Sequence, residues 1–300
     1  MRIGVDLGGT KIEAIALSDE GAPLLRYRVP TPTGDYARIL QCIADLVCFV
    51  EAEVGHKGTV GIATPGAISQ STGHIKNANS TVLNSRPLDS DLSRKLGRPI
   101  RIENDANCFA LSEAVDGAAA GERVVFGVIL GTGVGGGIVV NKELIAGRNK
   151  IAGEWGHTPL PWTADHERQS APCYCGRLGC VEAFLSGAGL IREYRLRSGV
   201  DLTPPEIVLA ATGGDEEAAE CLKVYQNRLA RGLAGVINVL DPDIIVLGGG
   251  LSNFAQLYTG LPSLVSKHAF SDCIETPIVR AMHGDSSGVR GAARLWPAAR

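Results

Sequence analysis

Two stretches of the chain repeat one pattern: an apolar strand, a turn of glycine and threonine, and a second apolar strand. The first is Gly4-Val5-Asp6-Leu7-Gly8-Gly9-Thr10-Lys11 running into Ile12-Glu13-Ala14-Ile15-Ala16-Leu17. The second is Gly127-Val128-Ile129-Leu130-Gly131-Thr132-Gly133 running into Gly137-Ile138-Val139-Val140. Each reads as a β-hairpin with a tip almost bare of side chains. Between and after them the period changes. Ile39, Ile43, Leu46, Val47 and Val50 recur at helical spacing and predict a helix over 36–54. A short buried strand over 60–63 ends at the sharp turn Thr64-Pro65-Gly66. A strand over 100–103 is followed by Asn104-Asp105-Ala106-Asn107 and a helix over 108–120. Long helices are expected over 187–197 and 216–240, then a strand over 244–247 that ends in Gly248-Gly249-Gly250. A last helix is expected over 287–295, with Asp285 or Ser286 as N-cap and Pro297 as its stop. Strands, hairpins and helices thus alternate twice over, which predicts an α/β fold of two similar halves meeting near 116–122.

Bare turns with outward N–H groups let backbone approach phosphate oxygens closely. A matched pair of them points to a nucleotide triphosphate and to phosphoryl transfer. Rival phosphate motifs fail. The chain has no Gly-x4-Gly-Lys-Ser/Thr, and Gly131-x-Gly133-x-x-Gly136 runs into a strand where a dinucleotide fingerprint must open a helix.

Composition narrows the setting. Three hundred residues suffice for two domains, and a net charge of −3 leaves no electrostatic footprint for nucleic acid or an anionic membrane. The start runs directly into a strand, without the features of a signal peptide, and the uncharged stretch 124–140 is too short and glycine-rich for a membrane span. Eight cysteines without a secretory signal suggest a reducing compartment, hence a cytoplasmic protein with thiols or metal ligands.

Four groups of residues carry candidate chemistry. Asp105, just past a strand end, can take the proton of an attacking hydroxyl, with Asn104 and Asn107 orienting hydroxyls beside it; equally, Asn104 and Asp105 are strong helix N-cap types. Asp6 precedes the first bare turn and could hold Mg²⁺ through water, or could accept N–H bonds of the turn. The second hairpin has Ile129 at the matching place, so any such carboxylate comes from one side only. His157, Cys173, Cys175 and Cys180 have the donor set of a closed, tetrahedral structural zinc site; free buried thiols or a redox pair are the alternatives. The remaining cysteines, Cys42, Cys48, Cys108, Cys221 and Cys273, are scattered singly. Glu154 and Glu182 flank the cluster, which would hold both carboxylates in place to accept bonds from adjacent hydroxyls. Glu182 also reads as a charge at a helix start.

Asp6-Leu-Gly-Gly-Thr-Lys11, Asn104-Asp-Ala-Asn107, Gly131-Thr-Gly133, Gly153-Glu-Trp-Gly-His157, Cys173-x-Cys-Gly-x-x-Gly-Cys-x-Glu182 and Leu247-Gly-Gly-Gly250 together resemble the ROK family, over almost the whole chain and in order. The resemblance implies an actin-like, hexokinase-type (ribonuclease H-like) fold of two lobes, with a sugar in the cleft and ATP against the second lobe. The lobes are expected at 1–118 and 119–286, with a terminal helix, 287–300, returning to the first. It implies a kinase in which Asp105 is the catalytic base. Asp6, Gly8, Gly9, Thr10, Lys11, Gly131, Thr132, Gly133, Gly248, Gly249 and Gly250 serve ATP and Mg²⁺. Asn79, Asn104, Asp105, Glu154, His157 and Glu182 contact the sugar, His157 through its second ring nitrogen, beside the Zn²⁺ of His157, Cys173, Cys175 and Cys180. Lys76-Asn-Ala-Asn-Ser80, Gly153-Glu-Trp-Gly-His157, Pro172-Cys-Tyr-Cys175 and His283-Gly-Asp-Ser-Ser-Gly288 look most like bacterial fructokinases of the manno(fructo)kinase type. That implies phosphorylation of the 6-hydroxyl of fructose, and of mannose as well. N-acetylglucosamine kinase is the alternative, with broad-specificity glucokinase after it. Sugar-responsive repressors of the family carry a helix-turn-helix ahead of the body, for which a hairpin starting by residue 3 leaves no room. A homodimer is the family expectation.

Overall fold

The structure, a computed structural model, describes residues 1–168, 171–284 and 287–297. In chain order the elements are β1 (Arg2–Leu7), β2 (Lys11–Leu17), β3 (Pro23–Pro30), α1 (Tyr36–Val54), β4 (Thr59–Thr64), β5 (Ala67–Ile68), β6 (Ile75–Lys76), α2 (Leu88–Leu96), β7 (Ile100–Asn104), α3 (Asp105–Asp116), β8 (Val124–Leu130), β9 (Val134–Val140), β10 (Glu143–Leu144), α4 (Asp165–Arg168), α5 (Val181–Leu185), α6 (Gly187–Ser198), α7 (Pro204–Thr212), α8 (Glu216–Leu240), β11 (Ile244–Gly248), α9 (Leu261–Ser266), β12 (Ile278–Arg280) and α10 (Ser287–Ala293). Two five-stranded sheets run β3-β2-β1-β4-β7 and β10-β9-β8-β11-β12. The chain divides into two compact units: residues 1–121, 137–152 and 282–300, and residues 122–136 and 153–281. The segment 137–152 thus belongs with the first unit, and the partition differs there from lobes drawn at 118 and 286.

In the first unit, β1 and β2 form the expected hairpin, with Asp6 opposite Glu13, and β1, β4 and β7 are parallel. Strand alternation sorts β1 by face. Ile3, Val5 and Leu7 join the core with Ile39, Ile43 and Val47 of α1, while Gly4 faces α10. The helix α1 has the predicted bounds because Asp35 caps its start and Gly55, at φ 85°, ends it. The contact with α10 depends on absent side chains. A Cβ on Gly4 would lie 1.9 Å from the Val289 carbonyl oxygen, one on Gly61 1.9 Å from that of Ala292, and one on Gly291 1.7 Å from that of Cys108. Glu113, fully buried on α3, fastens the approach to this helix. It accepts bonds from the backbone N–H groups of Met282 (3.0 Å), His283 (3.1 Å) and Ala118 (2.8 Å) and from the Ser287 hydroxyl (2.7 Å).

Two boundaries differ from expectation. α3 opens at Asp105, not 108, because Asn104 is its N-cap, and it ends at Asp116. α10 is helical over 287–293, and the caps expected at Asp285 or Ser286 lie outside the described residues.

In the second unit, β8, β11 and β12 are parallel. α8 carries Arg228 and Arg231, both buried and both paired with Glu167 at 2.8 Å, with Glu193 completing the group at 2.7 Å from Arg228. A buried charge group of this kind is tolerable only because each ion is paired and hydrogen-bonded.

Candidate active site and metal site

The first unit holds the candidate proton acceptor. Asn104 Oδ1 accepts the Ala106 N–H at 2.9 Å and the Asn107 N–H at 3.3 Å, and its amide donates to the Gly66 carbonyl at 3.2 Å. Glu103 Oε1 accepts from the Asn104 N–H (2.9 Å) and from the Asn107 amide (3.1 Å). The capping function therefore rests on Asn104. Asp105 follows at the first helical position, and its Oδ1 takes the Ala106 N–H at 2.8 Å.

Asp6 shares this region. Burial, and after it the charge of Asp105, push its carboxyl from an ordinary 3.8 up to about 7. A carboxylate so destabilised is one that a cation would relieve. Its Oδ2 lies 3.3 Å from where a Cβ on Gly288 would stand, so a side chain there at the start of α10 would press on the carboxyl. The hairpin tip beyond Asp6 is closed by the Gly8 N–H donating to the Lys11 carbonyl at 3.0 Å. It is braced by Thr31, whose hydroxyl donates to the Gly8 carbonyl at 2.7 Å. Gly9 and Thr10 are exposed, and Lys11 is half-buried. Asn79 is exposed in a loop that Asn84 pins by bonds of 2.9 Å to the Ala78 N–H and carbonyl.

The second unit holds the matching turn and the thiol cluster. The Gly131 N–H donates to the Gly133 carbonyl at 3.0 Å, leaving Thr132 exposed at the tip. Gly249, at φ 81°, passes so near Leu130 that a Cβ would meet its carbonyl oxygen at 2.4 Å. The ligating atoms of His157, Cys173, Cys175 and Cys180 all lie within 4.8 Å of one another. His157 Nδ1 is 3.5 Å from Cys173 Sγ, and Cys175 Sγ is 3.7 Å from Cys180 Sγ. A zinc tetrahedron with ordinary bond lengths has S···N edges of about 3.6 Å and S···S edges of about 3.8 Å. The residues fit the ion. Burial, then the neighbouring thiols, push Cys180 up to about 12 and raise Cys173 as well. Cys175 is held below its ordinary value: burial opposes this, but the Arg177 N–H and the neighbouring thiols outweigh it. So crowded a set of thiols can ionise together only around a cation.

Glu154 and His157 are carried by a tight turn that Trp155 anchors. Its indole N–H donates to the Gly135 carbonyl at 3.1 Å, and its ring meets Phe126 edge-on at 5.8 Å. Glu182 lies in the first turn of α5, as its helix-start reading supposed, and also spans two features. Its Oε2 accepts the Val134 N–H at 2.9 Å, and the Cys173 thiol approaches its Oε1 at 3.8 Å. A Cβ on Gly133 would lie 2.8 Å from Oε2, so the glycine of the turn is also the seat of this carboxylate.

The sequence pattern that defines the ROK family matches residues 2–299. The chain belongs to the ROK family. It is a sugar kinase of that family. It is 42% identical over 299 residues to the N-acetyl-D-glucosamine kinase of Vibrio cholerae serotype O1, covering 98% of this chain and 99% of that one. It is also 42% identical over 301 residues to the protein of the same name from Haemophilus influenzae, covering 99% of each. Among solved structures it resembles the ROK hexokinase from Thermus thermophilus, with TM-score 0.87 and 31% identity over 97% of this chain and 96% of that one. It also resembles a ROK family glucokinase from Streptomyces griseus in complex with glucose and AMPPNP, with TM-score 0.80 and 28% identity over 98% of each chain. The hexokinase-type α/β fold expected of a ROK protein is thereby shown. Among the described residues no helix is long and apolar enough to cross a membrane.

Three residues outside the expected site set make contacts of their own. Glu103 ties Asn104 to Asn107, Glu113 holds the approach to α10, and Tyr174 meets His157. Glu103 and Glu113 carried no spacing signal. Tyr174 stood in view between two cysteines.

Proposed function

We propose that this chain transfers the γ-phosphoryl group of ATP to the 6-hydroxyl of N-acetylglucosamine. The reading rests first on Asp105, placed at the start of α3 and relieved of capping by Asn104. The choice of sugar rests on the two relatives named N-acetyl-D-glucosamine kinase, each 42% identical over essentially full length. They favour that alternative over the fructose expected from the sequence.

In this reading the 6-hydroxyl oxygen attacks the γ-phosphorus, the bond to the β,γ-bridging oxygen breaks, ADP leaves and the hydroxyl proton passes to Asp105. Asn79, Asn104, Glu154, His157 and Glu182 orient the sugar. Gly9, Thr10, Lys11, Thr132, Gly133 and the glycines 248–250 receive the nucleotide, while Gly8 and Gly131 close the turns that present it. When bound, Mg²⁺ neutralises phosphate charge, and Asp6 would hold it through water. Zn²⁺ in the thiol cluster would fix His157 and the start of α5, hence Glu182. An ADP-release assay with purified protein should give the highest kcat/KM for N-acetylglucosamine among that sugar, glucose, mannose and fructose. Preference for fructose would return the sugar choice to the first expectation, and no ADP release with any of them would defeat the reading.

Two further outcomes follow. Asp6 has a raised carboxyl, so the folded chain binds its proton more tightly than the unfolded chain does. The stability this brings is complete below pH 3.8 and is lost as pH rises through about 7. In Mg²⁺-free buffer, unfolding stability measured from pH 4 to 8 should fall for the native chain relative to Asp6→Asn, by up to about 4 kcal/mol. A difference flat across that range would contradict it. For the thiol cluster, metal analysis should find about one zinc per chain, largely lost in Cys175→Ser, with sugar affinity weakened. Metal retained by that variant would point to another ligand set.

A further inference from the structure

His157 has two ring nitrogens, and the structure gives each a different neighbour. Nδ1 faces Cys173 Sγ at 3.5 Å, on the thiol side. Nε2 lies 3.0 Å from the Tyr174 hydroxyl, with the two rings edge-on at 5.1 Å and 84°. When Nδ1 is given to a cation, the single ring N–H sits on Nε2 and can serve one good acceptor. The acceptor that stands there is the Tyr174 hydroxyl. A sugar hydroxyl that is to accept from Nε2 must take the same place.

Tyr174 is built to yield it. It is 64% exposed, so no packed shell holds the ring against His157. Its neighbours on either side, Cys173 and Cys175, belong to the thiol cluster, so the backbone stays put and only the side chain need turn into water. The exchange replaces one hydrogen bond by another, and its cost is the modest net value of a solvent-exposed bond.

We propose that Tyr174 is the resident partner of His157 Nε2 in the sugar-free enzyme, and that a sugar hydroxyl displaces it, so that Tyr174 sets sugar affinity by competition. This rests on the reading that His157 contacts the sugar, and it adds a residue that weakens ground-state binding without touching the reacting atoms. The contact costs affinity in every turnover. In return it keeps the imidazole oriented, with its N–H aimed at the sugar position, before any sugar arrives.

The test is calorimetric titration of N-acetylglucosamine, without nucleotide, into the zinc-loaded native chain and into Tyr174→Phe. Removing the competing hydroxyl should tighten Kd by about 2- to 10-fold, the range a net hydrogen bond supplies. Nitrogen-15 spectra of the imidazoles should differ between the two proteins at His157 Nε2 without sugar and coincide at saturating sugar. Equal zinc content in the two proteins shows that the cluster is undisturbed. An unchanged or weaker Kd overturns the proposal, as do His157 signals that still differ at saturation, since Tyr174 would then stay and touch the sugar. If the native chain binds another hexose in place of N-acetylglucosamine, the substrate reading fails separately, and the same comparison is made with the hexose that binds.

Discussion

Replacing Asp105 by Asn is expected to lower kcat by about 10²- to 10⁴-fold, the usual range for removing a positioned general base, while sugar binding stays within a few-fold. An amide oxygen can still accept the Ala106 N–H that Asp105 Oδ1 accepts at 2.8 Å, so the local turn is kept. The start of α3 does not depend on the change, because Asn104 supplies the cap through its bonds to Ala106 and Asn107. The change removes the ability to take up a proton and a charge near Asp6 that helps hold that carboxyl near 7. Steady-state ADP release and sugar titration on the same preparation separate the outcomes. Near-normal turnover would remove Asp105 from its role, and a collapse of sugar affinity or of folding would assign it a structural one.

Replacing Gly291 by Ala is expected to destabilise the first unit by about 3 kcal/mol or more, at the upper end of overpacking penalties. The added Cβ would stand 1.7 Å from the Cys108 carbonyl oxygen, an impossible separation. The obstructing atom is backbone within α3, so no side chain can rotate to make room. Retreat of α10 is obstructed too, because Gly4 and Gly61 have already brought β1 and β4 into contact with Val289 and Ala292. Close packing transmits such a clash instead of absorbing it. Urea unfolding of the native chain and the variant measures the loss. A variant with unchanged midpoint would mean that α10 does not lie as tightly on α3 as these distances require.

Much of the fold was legible in the sequence where one local signal decided it. The helix α1 has its predicted bounds because an apolar stripe, an Asp cap and a terminal glycine agree. Both hairpins declared themselves by glycine between apolar runs, and the thiol cluster by Cys-x-Cys beside two glycines. What escaped depended on distant partners. The edge strand β3 begins and ends in proline and turns Arg26 and Arg28 outward; their partner is Glu13 on β2, a carboxylate buried across the pairing. α7 opens on Pro204-Pro205 and is held by the Thr203–Glu206 capping box, which no long apolar stripe announces. The segment 137–152 belongs to the first unit, where a Cβ on Gly137 would lie 2.7 Å from the Ala106 carbonyl oxygen of α3. α3 starts earlier than its apolar run because Asn104 is the N-cap and Asp105 already stands at the first helical position. The choice of sugar was not legible, because hexoses differ at single hydroxyls and substituents that a few bonds in space must read.

The central claim is that the chain phosphorylates the primary hydroxyl of a hexose, with N-acetylglucosamine preferred. Phosphorus-31 NMR of protein, ATP, Mg²⁺ and N-acetylglucosamine tests it most directly. The account predicts ADP in step with one new phosphomonoester, split into a triplet by the paired protons of carbon 6. A doublet from phosphorylation at a ring or anomeric carbon, or inorganic phosphate as the sole product beside ADP, would contradict it.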